Sequence, residues 1–215
     1  MAAIEVRRYQ TADGRIPVTA WHDGLRDRAA RLRIVARLDR LTENLRGDWK
    51  SVGGGVYGLR VDYGAGYRVY YAQQGLPWSC CCVVARSERR TRILKKPMHT
   101  GKTTKLAPAS VPFRAADYLQ SDKDIAAYIE AMLADGDARA VPIALRTVAD
   151  ALGGMASLAD KTGLSRETLY RTLSEKGNPR LDTLSAILAA FGLRLSVQPS
   201  KPAGARRGGL RPAHA

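Results

Sequence analysis

Acidic side chains are scarce in this chain. Over 215 residues, Asp and Glu number 20 against 35 Lys and Arg, giving a formal net charge of +15 and a pI near 10.2. Such an imbalance points to polyanions, nucleic acid first and an anionic membrane surface second. Long apolar runs are also missing. None approaches the roughly 18–20 residues of a membrane span, and residues 1–20 hold no signal-peptide core. Cysteine is confined to one triplet, Cys80, Cys81 and Cys82. Neighbouring residues of a strand point to opposite faces, so the triplet cannot converge on one metal. An odd, clustered set also excludes a disulfide framework. The expected setting is a reducing cytoplasm, with neither metal nor cofactor.

What is present is ordinary for a globular chain: 45 % apolar and 26 % charged residues, a balance that argues against full disorder. The charge is uneven. Residues 1–106 hold 21 basic and 9 acidic side chains, and residues 107–215 hold 14 and 11. Ile4 to Tyr9 alternates as a strand does. Residues 16–46 read as helical, with Arg26, Arg28, Arg31, Arg33, Arg37 and Arg40 interleaved with leucine, valine and alanine. That pattern predicts an amphipathic helix with a very basic outer face. Val56–Tyr63 and Tyr67–Ala72 read as strands joined by a Gly64-Ala65-Gly66 hairpin turn. Residues 78–85 are apolar enough for a further strand at the edge of the sheet. Residues 86–112 are basic, aperiodic and punctuated by Pro97, Pro108 and Pro112, which reads as a linker.

From Phe113 the pattern turns helical. Ser121 with Asp124 resembles a capping box. Ile125, Ile129, Met132 and Leu133 line one helix face, and Asp137 is placed to cap the next helix. Gly153-Gly154, Gly163, Asn178-Pro179 and Gly192 divide the remainder into short helices. Leu193, Leu195 and Val197 alternate with polar residues as a short C-terminal strand. Residues 199–215 are rich in Pro, Gly, Ala and Arg and read as a disordered basic tail. Within this region, Met155 to Leu173 (MASLADKTGLSRETLYRTL) has the spacing of a helix-turn-helix. Ala159 is small where two helices meet, Gly163 suits a turn of positive φ, and Leu169 faces inward six residues later. The second helix then displays Ser165, Arg166, Thr168, Tyr170 and Arg171, types suited to phosphates and base edges.

The residues AADYL (115–119), DIAAYIEAML (124–133), DGD (135–137), the helix-turn-helix and LSEKGNPRLDTLSAILAAFGLRLSVQP (173–199) together resemble the HigA-like addiction-module antitoxins, which carry a Cro/C1-type helix-turn-helix. The resemblance implies a dimeric operator-binding autorepressor that neutralises a cognate toxin. IEVRRYQTADGRIPVTAWHDGLRD (4–27) and GVYGLRVDYGAGYRVYYA (55–72) resemble the RelE/HigB-like toxins, which cut mRNA on the ribosome without a metal. That second resemblance implies a phosphate-binding role for Arg68 and, on the preceding strand, for Arg60.

After the hairpin the toxin pattern breaks off. A compatible set of codons for residues 79–98, read from one nucleotide earlier, restores the strand, the basic Thr-Gln segment and the start of the last helix that this toxin family shows. The expectation is a toxin truncated or frame-shifted after about residue 78 and fused to an antitoxin. In outline, residues 1–85 form an α+β RelE-like domain of helices and antiparallel sheet, and 86–112 the basic linker. Residues 113–198 form an all-α helix-turn-helix domain with a short C-terminal strand. Three functions are compatible with this outline. They are a DNA-binding antitoxin with an inactive toxin domain, a residual ribosome-dependent mRNA endoribonuclease, and a self-neutralised fusion. The last requires a persistent contact between the two domains.

Overall fold

The computed structural model describes residues 4–64, 66–74, 79–87, 110–174 and 177–197. Most of the basic linker and the tail lie outside the described residues, and with them the readings made of those segments. A six-stranded sheet opens the chain. Its strands are β1 (Glu5–Tyr9), β2 (Trp49–Gly53), β3 (Val56–Val61), β4 (Tyr67–Gln74), β5 (Ser79–Ser87) and β6 (Ser110–Pro112), in the order β2-β3-β4-β5-β1-β6. Between β1 and β2 run two helices, α1 (Pro17–Asp23) and α2 (Arg28–Thr42). Among the described residues, a single 3-10 turn (Ala115–Tyr118) and five α-helices follow the sheet: α3 (Asp122–Leu133), α4 (Ala140–Ala151), α5 (Gly154–Thr162), α6 (Arg166–Thr172) and α7 (Leu181–Ala190). An α+β region followed by a helical region matches the expected outline, with four differences.

The first difference lies in residues 16–46, which form two helices. The chain leaves α1 at Gly24, and α2 restarts at Asp27, whose carboxylate accepts from the Ala30 amide, an N-cap. The second concerns β5. It is an interior strand, antiparallel to β4 and parallel to β1, so the sheet is mixed. A parallel pair needs a long crossover, and the excursion through α1 and α2 separates β1 from the strands that lead back to it. Third, Ser110–Pro112, at the end of the supposed linker, pairs antiparallel with β1 and caps that edge of the sheet. Fourth, residues 193–197 form no strand and pair with no described strand. Alternation prepares a segment for a sheet, and pairing also needs a neighbour.

The core is one cluster running through both regions. It joins Leu59, Val69 and Tyr71 of the sheet to Ile34 and Leu41 of α2, then to Ile125, Tyr128 and Met132 of α3, and on to Val148, Leu169 and Ile187. The pivot is α2. Every residue from Ile34 to Leu41 is buried, whereas a helix lying on a sheet and facing water exposes about half its circumference. Part of the face expected to be basic and solvated is instead covered by α3: Arg37 and Arg40 are buried, while Arg26 and Arg28 stay exposed.

Candidate nucleic-acid interface

The helix-turn-helix residues meet as α5 and α6. Gly163 ends α5 with φ +69°, a conformation that carries little cost for glycine alone. Ser165 then caps α6, its Oγ accepting from the Thr168 amide at 3.1 Å and donating to Thr168 Oγ1 at 2.9 Å. Both hydroxyls are thereby engaged in the cap. Leu169 is fully buried beside Leu158 and Leu173, which fixes the rotation of α6. Arg166 and Tyr170, four residues apart, therefore share an outer face, with Arg171 beside them. All three are exposed, Tyr170 at 61 %. Two cations and a phenol on a short helix, held from beneath by leucines, form a surface suited to phosphates and base edges.

The sheet arginines come together as well. Arg60 of β3 stands directly opposite Arg68 of β4. Both are exposed, while their neighbours Leu59, Val61, Tyr67 and Val69 turn to the core. Arg60 lies 3.9 Å from Asp48 and 3.8 Å from Asp62, distances of loose pairs. Like charges directly opposite on a sheet repel each other. In backbone register, Arg86 of β5 continues the same row beyond Arg68.

A third constellation is invisible in the sequence pattern: the contact of α2 with α3, α4 and the turn between them. Arg28 forks onto Asp124, with Nε and Nη2 each 2.5 Å from a carboxylate oxygen, and Nη2 also donates to Ser121 at 2.8 Å. That guanidinium holds the Asp124 carboxyl below its ordinary range. Arg40 donates to the Met132 carbonyl at 3.0 Å and lies 3.2 Å from Asp135 and 3.8 Å from Asp137. Arg37 lies 3.4 Å from Asp135 and donates to the Asp48 carbonyl at 2.9 Å. Its guanidinium rests so close to Gly47, at φ +53°, that a Cβ there would fall 2.2 Å from Nη1. Beyond these, Arg146 pairs with Glu43.

At the centre lies Asp39. It is 8 % exposed and accepts hydrogen bonds from the hydroxyls of Tyr128 and Thr147. Burial raises its pKa against the lowering effect of those two donors, and pushes the Tyr128 phenol well above its usual range. One signal was available in the sequence: Asp39 is the only acidic residue among the arginines, leucines and alanines of α2. An acid so placed is more simply a partner-facing group than a solvated one.

Among the described residues, no group of three or more His, Cys, Asp or Glu residues is arranged to hold a metal ion. None of their helices is long and apolar enough to cross a membrane.

Comparison with known proteins bears on the helical region. Residues 109–199 match the family model described as "Probable addiction module antidote protein". Two uncharacterised proteins of Haemophilus influenzae are similar. One is 34 % identical over 89 residues, covering 41 % of this chain and 91 % of its own length. The other is 44 % identical over 55 residues, covering 26 % of this chain and 56 % of its own length. No solved structure matches. The family assignment supports an antitoxin role in a toxin–antitoxin pair and implies a cognate toxin as partner. Through residues 109–199, the chain belongs to the addiction-module antidote family.

Proposed function

We propose that this protein is a DNA-binding antitoxin that represses its own promoter, reading a palindromic operator as a homodimer through α6. The observation that carries this reading is the fixed outward display of Arg166, Tyr170 and Arg171 over the buried Leu169. The unpaired segment 193–197, with Leu195 at 56 % exposure and Val197 more open still, supports pairing with a second copy. Replacing Arg166 or Arg171 by Ala should weaken operator binding by about 1–3 kcal/mol where the side chain reads a base, and flatten the salt dependence where it meets a phosphate. Gel shifts at two salt concentrations, on a full palindrome and on a half-site, measure both effects and the stoichiometry. Unchanged affinity and salt slope in both variants would rule out α6 as the recognition helix.

A second reading concerns the sheet, and the facing arginines favour it. The N-terminal domain is the remnant of a RelE/HigB-like toxin, which binds RNA phosphate through Arg60 and Arg68 without cutting it. Expression of the chain should then leave growth and mRNA intact. Specific mRNA cleavage lost in Arg68→Ala would favour the active endoribonuclease instead.

A further inference from the structure

We infer that the toxin-binding surface of this antidote is the side of α3 and α4 turned toward α2, and that its occupant is the N-terminal domain of the same chain. The protein is thus a preassembled complex that does not take up a toxin from outside. This rests on the antidote reading but not on DNA binding.

Three observations carry it. First, the contact is built of bonds between groups far apart in sequence: 96 residues for Arg28 with Asp124, 92 for Arg40 with Met132, 89 for Asp39 with Tyr128 and 108 for Asp39 with Thr147. Local folding of either region makes none of them. Second, the polar groups are complementary in both directions. Cations of α2 meet carboxylates of the antidote region at Asp124 and Asp135, and an anion of α2 meets hydroxyls there at Asp39. Arg40, Asp39 and Asp124 are buried while Arg28 and Asp135 sit at the rim, and the buried ones discriminate between partners, because a wrong partner leaves them unpaired. Third, the antidote region also closes the open edge of the N-terminal sheet. β6 pairs with β1, and Arg8 Nη1 donates to Tyr118 Oη at 2.9 Å. An uncovered edge is a template for another chain, and here that place is taken. Covalent linkage further raises the effective concentration of this occupant over any separate one.

The test keeps the full chain and places a site-specific protease site between Ser87 and Ser110. After cutting, the two pieces should co-elute in size exclusion. Arg28→Asp, which sets two carboxylates face to face, should weaken the association of the cut pieces at least tenfold, and adding Asp124→Arg should restore it. Restoration shows that the single variant failed at the contact rather than by misfolding. Separation of the unsubstituted pieces, or no recovery in the double variant, overturns the inference. Partner choice is read in uncut chains carrying Arg28→Lys. Light and isotope-labelled chains are mixed, refolded together and linked to Asp124 with a carbodiimide. Light–light and heavy–heavy products are expected, and light–heavy products in statistical proportion overturn occupation by the same chain. Operator binding by these preparations is read separately, so loss of one conclusion does not remove the other.

Discussion

Replacing Arg40 by Glu should destabilise the protein by about 3–5 kcal/mol, the usual cost of leaving a buried charge without its counter-charge. Arg40 is 3 % exposed. Its guanidinium donates to the Met132 carbonyl and faces Asp135 and Asp137. Glu at this position removes the donor and adds a third carboxylate to the same turn. Arg40→Met keeps the volume and removes the charge, and should cost less, since apolar replacements of buried ion pairs are often near neutral. Arg139→Glu is the control. Arg139 is well exposed and pairs mainly with Asp137 at 2.9 Å, so its reversal should change stability far less than that of Arg40, solvent screening the charge. Urea unfolding followed by circular dichroism measures all three. Equal, small effects of Arg40→Glu and Arg139→Glu would mean that the contact of α2 with the antidote region does not hold the molecule together.

The second large effect is expected at Asp39. Asp39→Ala leaves the Tyr128 and Thr147 hydroxyls buried without their acceptor, at about 1–3 kcal/mol for each unsatisfied group. Asp39→Asn keeps an oxygen for both and removes only the ionisation, so it should be far milder and should change the pH dependence. Burial raises the folded pKa of Asp39 above its ordinary 3.8. The folded state therefore holds this proton more tightly than the unfolded state does. Stability from Asp39 is fully present below about 3.8 and falls as pH rises through the folded value. Asp124, lowered by Arg28, and Asp137, lowered by Arg139, act in the opposite sense: their contribution is present above 3.8 and is lost as pH falls. The Asn variant should therefore gain on the natural protein as pH rises from 4 toward 8 and keep the acid-side loss. Parallel stability profiles of the two proteins over that range would contradict a buried, ionising Asp39.

The α5–turn–α6 pair was legible because its determinants are local. Gly163 takes the positive φ that its position in the motif asks for, Ser165 caps the residue three places on, and Leu169 turns inward by helical periodicity. Ser121 at the start of α3 was legible for the same reason, its side chain bonding to the amide of Asp124. The β3–β4 hairpin, with Arg60 opposite Arg68, follows from alternation and a glycine turn. Elsewhere the deciding information lay in another part of the chain. The apolar run over 78–85 announced a strand but could not place it between β4 and β1, because register and neighbour are properties of the sheet. The same limit applied at 193–197, where alternation met no partner among the described residues.

The arginines of α2 show the division most clearly. Amphipathic spacing over residues 16–46 determined by itself a helical stretch with one apolar side, though not its break into α1 and α2. Whether the other side met water or protein was not encoded in that spacing. A guanidinium is solvated on a surface and tolerated in an interior only where carbonyls and carboxylates are brought to it. Arg37 and Arg40 are buried because the chain returns about 90 residues later with the Met132 carbonyl, Asp135 and Asp137. The sequence alone thus determined a basic α+β region, a helical region with a glycine turn between α5 and α6, and their order. Only the tertiary structure decided that the two regions share one core, because burying a charge depends on groups that meet in space.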